Sequence, residues 1–197
     1  MTTGVVGCAI YAADLTSGIL HWAFDTWFDE NNPATRRMVL IVREHHVYPQ
    51  KIFNYGLGQE FGVMSWFGLP GFLPSIICLT VTRGKGNATP LLLGGVTYSA
   101  LVSCSLELHK IGHRFQPGPI IRLLQKLHLV LTPRHHMKHH AKEHDSHYCL
   151  VNGWADDTLG RVGLFRLLES IVEKNTREKA RTNDRYWRRL FGRWVAR

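Results

Sequence analysis

The chain has 197 residues, of which 45% are hydrophobic and 11% aromatic, so it is long enough for one domain and too apolar to be disordered. Its formal net charge of +9 favours an anionic partner, either nucleic acid or a phospholipid surface. The twelve histidines form no run at either end, which excludes a purification tag and indicates metal or proton chemistry.

Three apolar stretches are long enough to cross a bilayer as helices, which takes about 20 residues each. They cover roughly residues 5–28, 61–81 and 90–108. The second contains Pro70 and Pro74, which membrane helices tolerate. The mean hydropathy of −0.12 leaves a soluble bundle with three buried helices as an alternative. Uncharged runs of this length are rare in soluble domains, so we predict an integral membrane protein.

Basic residues are unevenly distributed around these stretches. Four lie between the first and second stretches and most of the others follow the third, whereas only Arg83 and Lys85 lie between the second and third. The side of a membrane protein that is richer in Lys and Arg faces the cytoplasm. Three spans with the amino end outside satisfy this rule, and they place His21, Asp25 and His109 at the cytoplasmic side.

Shorter elements are predicted after the third stretch. Residues 120–131 alternate apolar and basic side chains, as an amphipathic helix in a membrane interface does. Further helices are predicted over about 133–142, where Pro133 suits a first turn, and over about 163–174. The predicted fold is therefore all-α: an integral membrane helical bundle with about three transmembrane helices and a cytoplasmic His-rich helical cap. We expect a membrane domain over 1–174 and a basic tail, amphipathic or disordered, over 175–197.

The histidines are clustered at spacings that suit metal binding. His21 and Asp25 are four positions apart, as are His109 and His113, and residues at this spacing lie on one face of a helix. Two interleaved pairs of the same spacing lie between residues 135 and 140, while residues 45 and 46 are adjacent histidines on the predicted loop after the first apolar stretch. The set offers about eight to ten imidazole nitrogens, enough for two metal ions, although imidazole alone does not select among iron, copper and zinc.

Other metal and proton chemistries fit this pattern less well. A zinc hydrolase would show a motif such as His-Glu-x-x-His, whereas here the order in Glu44-His45-His46 is reversed. A haem site needs only an axial pair of histidines, so it does not account for so many of them. A His-rich di-iron site that activates dioxygen explains both the number of histidines and the membrane setting.

The chain also resembles the Kua-type lipid desaturase family, which includes plasmanylethanolamine desaturase and the plastid fatty acid desaturase that acts on phosphatidylglycerol. The matching segments occur in the family's order, between Asp14 and Glu169. They are Asp14–Trp27, Arg43–His46 with Pro49, His109–His113, Pro133–His140, His147–Cys149 and Asn152–Trp154.

This resemblance implies the reaction and its site residues. It implies an O2-dependent oxidoreductase of lipid and fatty acid metabolism with two iron ions, acting on a membrane phospholipid and receiving electrons from an external donor protein, cytochrome b5 or ferredoxin-like. Asp25 is the expected catalytic carboxylate. The implied metal ligands are His21, His45, His46, His109, His113, His136, His139 and His140. Possible additional metal or second-sphere residues are His135, His144, His147 and Asp14.

One segment differs from the family pattern, and two other functions stay open. Tyr55-Gly56-Leu57 stands where relatives acting on ether lipids usually carry His-Asp-Phe, which bears on the substrate. A di-iron lipid hydroxylase would use the same metal ligands, and a non-enzymatic membrane metal-binding protein would use them without changing any lipid. No recognition motif accompanies the basic tail, so a nucleic-acid partner is not expected.

Overall fold

The computed structural model describes residues 2–82, 88–141, 144–181, 187–189 and 191, and these residues form helices and connecting turns without a strand. The predicted all-helical fold is therefore confirmed for this part of the chain. Its α-helices are α1 (Thr2–Thr26), α2 (Arg36–Val47), α3 (Leu57–Thr82), α4 (Ala88–Ser103), α5 (Ser105–Gly112), α6 (Pro119–Lys126), α7 (Pro133–His140) and α8 (Leu164–Thr176). A 3-10 helix covers Pro49–Asn54 and a π-helical turn covers Asp156–Gly160.

The described residues contain two or three candidate membrane spans. Helix α1 and residues Phe61–Val81 of α3 are each long and apolar enough to cross a bilayer, and both prolines of α3 lie inside the helix. The third predicted span, over 90–108, is bent rather than straight, because α4 and α5 meet at an angle of 58°. This break lies at Cys104 and turns α5 away from the direction of α4.

Helix α2 corrects the expectation that His45 and His46 lie on a loop. The twelve residues from Arg36 to Val47 are helical, and both histidines are in the last turn. The helix is stable here because its apolar side is buried in a core shared with α1, α3 and α5. This core includes Phe24, Met38, Val39, Ile41, Val42, Met64 and Leu106.

The same core contains two aromatic residues of the tail, Trp187 and Phe191. Trp187 and Phe191 are each 2% exposed, and the Arg43 guanidinium lies 5.8 Å from the centre of the Trp187 ring. In the structure both rings pack against α2. Residues 182–186, 190 and 192–197, which complete the predicted tail, lie outside the described residues.

We expect Trp187→Ala to lower the free energy of unfolding by about 3–5 kcal/mol, because it removes a large ring from a closed core. The measurement is thermal unfolding of the detergent-purified protein. Arg188→Ala is the matched control, since the Arg188 side chain is exposed. Equal melting temperatures for the two variants would contradict the packing of Trp187 in the core.

A buried carboxylate joins α1 to the chain segment that follows α7. Asp14 Oδ1 accepts hydrogen bonds from the backbone N–H groups of Val151, Asn152 and Gly153 at 3.1, 2.9 and 3.1 Å, and Oδ2 accepts one from Ala155 at 2.9 Å. Gly153 has φ +83°, a conformation that residues with a side chain rarely adopt. The tight loop around residue 153 is thereby held against the middle of α1.

Helix α6 is shorter than predicted and has an exposed apolar side. It ends at Lys126, where the chain leaves the helix instead of continuing to residue 131. Ile120 is 74% exposed, and Leu123 and Leu127 are each 56% exposed. Apolar side chains on the outside of a short helix are typical of a helix that lies in a membrane interface.

Candidate metal centre

Four helices bring metal-ligating side chains to one buried place. Helices α1, α2 and α7 each contribute at least one residue, and α5 contributes His109, with His113 directly after its last turn. The side chains form two groups, and within each group the ligating atoms lie within 4.8 Å of one another. The first group is His45, His109, His113, His136 and His140, and the second is His21, Asp25, His46 and His139.

The nitrogens of the first group converge on one point. His136 Nε2 lies 2.8 Å from that of His109, 3.0 Å from that of His113 and 3.1 Å from that of His140. Nε2 of a neutral imidazole has either one proton to donate or one lone pair to accept with, so hydrogen bonds cannot explain all three contacts. Ligands about 2.1 Å from a shared metal ion and at right angles to each other are about 3 Å apart, which fits these distances.

The second group adds a carboxylate to three imidazoles. Asp25 Oδ2 lies 3.5 Å from the Nε2 atoms of both His21 and His139, and its Oδ1 lies 3.6 Å from His46 Nε2. The Nε2 atoms of His46 and His139 are 3.1 Å apart. The rings of His21 and His109, one from each group, have centres 5.3 Å apart, so the two groups are direct neighbours.

Backbone carbonyls fix two of these rings. His21 Nδ1 lies 2.9 Å from the Tyr148 carbonyl oxygen, and His139 Nδ1 lies 2.8 Å from that of Ser146. A carbonyl only accepts hydrogen bonds, so Nδ1 carries the proton in both rings and donates it. The lone pair of each ring is therefore on Nε2, which points into the second group, and this arrangement is usual for histidine ligands of metal ions.

Burial keeps the imidazoles neutral. It lowers the pKa of His45, His46, His136 and His139 well below the usual value, because the charged ring would lose its hydration, and the neighbouring histidines lower it further. At neutral pH these rings therefore carry an available lone pair. Among the described residues, neither ring nitrogen of His45 has a hydrogen-bond partner, a costly state for a buried group unless it binds a metal ion.

Local sequence explains how α5 and α7 come close enough to share a site. A Cβ atom at Gly112 would lie 2.8 Å from Leu131 Cδ2 and 3.3 Å from His136 Cβ, so a larger residue would push α7 away from α5. Helix α7 begins with Pro133, and the Thr132 hydroxyl oxygen accepts the N–H of His135 at 3.2 Å. This cap fixes where the histidines of α7 start.

The possible additional residues lie around the two groups rather than within them. The ring of His144 stacks on that of His46, with centres 3.9 Å apart and planes at 7°. His135 pairs with Asp156 at 3.1 Å, and the centre of its ring is 5.0 Å from that of His147. Asp14 holds the loop described above, with both carboxylate oxygens accepting backbone N–H groups.

Several contributing groups were not predicted from the sequence. The carbonyls of Ser146 and Tyr148 carry no side-chain signal, and Asp156, which accepts the Cys149 N–H at 3.1 Å as well as contacting His135, lies outside every His motif. Tyr55, from the segment that departs from the family pattern, donates its hydroxyl to Glu44, the residue before His45. That hydrogen bond links the 3-10 helix region to the last turn of α2.

A sequence model of the lipid desaturase domain matches residues 10–183, which include all nine grouped side chains. The chain belongs to the lipid desaturase domain family. This confirms the family resemblance carried by the histidine motifs. Together with the apolar helices, it identifies an integral membrane protein with a His-rich metal-binding region.

Similar proteins in this family carry desaturase names. Plasmanylethanolamine desaturase of Myxococcus xanthus is 29% identical over 174 residues, which cover 88% of this chain and 61% of that protein. Plasmanylethanolamine desaturase 1 of Mus musculus is 29% identical over 193 residues, covering 93% and 69%. Chloroplastic fatty acid desaturase 4 of Arabidopsis thaliana is 26% identical over 163 residues, covering 81% and 48%. The chain thus spans about half to two thirds of these relatives, and no solved structure matches it.

Proposed function

We propose that this protein is a membrane lipid desaturase that depends on two iron ions and dioxygen and forms a double bond in an alkyl or acyl chain of a phospholipid. The observation that carries the proposal is the pair of adjacent, buried groups of metal-ligating side chains. Relatives named plasmanylethanolamine desaturase support the substrate class.

Each group would hold one iron ion through neutral nitrogens. The first group offers imidazoles only, while Asp25 adds a carboxylate to the second group. Once bound, the irons would supply the reduction of dioxygen and the oxidising power needed to remove hydrogen from an unactivated carbon. The protein would fix the imidazole tautomers through the Ser146 and Tyr148 carbonyls and exclude water by burial, so that reactive species meet the lipid and not solvent.

The reaction requires electrons from outside this chain. Removing two hydrogens from a saturated chain and reducing one dioxygen to two waters consumes two further electrons and two protons. No flavin or nicotinamide fingerprint occurs in the sequence, and its glycines do not form a phosphate-binding loop. We therefore propose that a cytochrome b5-like or ferredoxin-like protein donates the electrons.

The cytoplasmic side of the membrane is the proposed location of the metal centre. The distribution of Lys and Arg supports it, and α6, with its exposed apolar side, would lie in the same interface. Residues 1–174 would then carry the desaturase chemistry. In the proposed tail, 175–197, Trp187 and Phe191 would brace α2, and basic side chains would face anionic headgroups.

Cysteine labelling tests this orientation. In a background without the exposed Cys8, a cysteine introduced at Thr89 should react with an impermeant maleimide from outside intact cells, whereas one at Asn175 should react only after the membrane is opened. Both positions are exposed, so failure to label would reflect the membrane barrier and not burial. Labelling of both from the same side would rule out three spans with the amino end outside.

Lipid analysis of a host with and without the chain tests the function itself. A desaturase yields a lipid that has lost two hydrogens, whereas a hydroxylase yields one that has gained an oxygen atom. The matched control is the variant His45→Ala/His46→Ala, which removes one ligand from each group. An unchanged lipid profile with normal iron content would overturn the desaturase proposal in favour of a metal-binding protein.

A further inference from the structure

An apolar pocket reaches both groups of the metal centre. It lies between the carboxyl end of α1, the middle of α2, the beginning of α3 and α5, and both His21 and His109 line it. The other lining residues are mainly apolar and include Phe24, Met38, Met64 and Leu106. None of the side chains lining it is a lysine, arginine, aspartate or glutamate.

The pocket is narrow, and two of its lining residues are methionines. Its cavity volume is about 10 Å³, room for one water-sized group, so a chain of methylene groups enters only if a wall moves. Met38 and Met64 are each 3% exposed. Methionine has three rotatable bonds and no branch, so it gives way to a ligand at lower cost than the surrounding Phe24 or Leu106.

A second cavity of about 380 Å³ lies between two of the candidate membrane-spanning helices. It is an apolar groove between α3 and α4, lined by small residues such as Gly68 and Ala100. Ser65 and Ser103 line the groove, whereas Met64 and Ser105 line the pocket. The 58° break between α4 and α5 lies between Ser103 and Ser105. Met64 and Ser65 are consecutive on α3, so the pocket and the groove are lined by neighbouring residues of one helix.

We propose that this pocket receives the hydrocarbon chain of the substrate lipid and that Met64 is the movable wall that selects the chain and places it beside His21 and His109. The inference rests on the proposed desaturase function. A polar or charged ligand would lose its hydration in the pocket without gaining enough partners, whereas a hydrocarbon chain has no hydration to lose on leaving the lipid for an apolar cavity. The groove between α3 and α4 would hold the rest of the chain at membrane depth.

Size variants of Met64, expressed in a host supplied with deuterium-labelled straight and methyl-branched chains, test the proposal. Met64→Trp should lower the formation of labelled unsaturated lipid about tenfold or more, since the larger ring fills the pocket. Met64→Ala should raise the ratio of branched to straight product about tenfold, since it widens the pocket. Ile77→Trp is the matched control: it adds the same ring on the same helix at a position that is 60% exposed.

Iron content separates blocked binding from a damaged metal centre. Iron should stay at the wild-type level in Met64→Trp, because Met64 is in neither group of ligands. If Met64→Trp loses iron, the ratio of branched to straight product formed by Met64→Ala tests the pocket assignment instead. Wild-type rates and ratios in both Met64 variants, with an active wild-type protein, would overturn the pocket assignment alone. A wild-type protein that leaves every labelled chain saturated would overturn the proposed function and the pocket's occupant together.

Discussion

Replacing His109 with alanine should remove most of the bound iron and lower lipid desaturation by more than about 100-fold, since even the loss of an outer partner of a metal ligand costs about 10–100-fold. His109 Nε2 is 2.8 Å from His136 Nε2 and 3.3 Å from His113 Nε2, so its loss opens the centre of the first group. Purified wild-type protein should hold about two irons per chain, as the ligand count suggests. Metal analysis and lipid product analysis of the same preparations give both readouts.

His128→Asn is the control for this change. His128 is exposed and belongs to neither group, and its φ of 56° is one that asparagine tolerates. The control should keep the wild-type iron content and activity. Full iron occupancy and full activity in His109→Ala would be incompatible with a metal site in the first group.

Replacing Asp14 with asparagine should lower the free energy of unfolding by about 3–5 kcal/mol, because the new NH2 group turns one accepting oxygen into a donor that faces backbone N–H groups. The loop from Val151 to Ala155 would then be held less tightly against α1. The preceding carbonyls of Ser146 and Tyr148 orient His139 and His21, so iron content should fall as well. Thermal unfolding and metal analysis of the detergent-purified variant measure the two effects.

Asp157→Asn gives the matched comparison. Asp157 is close in sequence to the same loop, but its side chain is 47% exposed and pairs only with Arg161 within the described part of the chain. Exposed pairs of this kind contribute about 0–1 kcal/mol, so the variant should melt close to wild type. If Asp14→Asn melts at the same temperature as Asp157→Asn, the hydrogen bonds that Asp14 accepts contribute little to stability.

The candidate ligands could be predicted from sequence because their spacing is local. A histidine four positions from another ligand is on the same helix face wherever that helix lies. The pairs His109 with His113 and His136 with His140 could therefore be predicted from their spacing. The structure brings all nine predicted side chains together. Their division into two groups could not be predicted from the sequence, since it depends on how α1, α2, α5 and α7 pack.

The missed features depend on long-range contacts. Helix α2 has several charged residues in a short length, and only the core formed with Phe24, Met64 and Leu106 explains why it is helical. The basic residues around Trp187 predicted only an amphipathic or disordered tail. The packing of this ring beside Arg43, a residue distant in the sequence, could not be predicted. Similarly, a carbonyl oxygen such as that of Tyr148 has no signature in the sequence.

Helices α2 and α7 each serve both groups of ligands. His45 and His46 are consecutive but belong to different groups, and on α7 His139 belongs to the second group while His136 and His140 belong to the first. In the proposed two-ion centre, an ion held by one group would restrain the backbone that carries ligands of the other, so a second ion would meet a lower entropic cost. This effect would oppose the mutual repulsion of two neighbouring cations, so the occupancies of the two groups would be thermodynamically coupled.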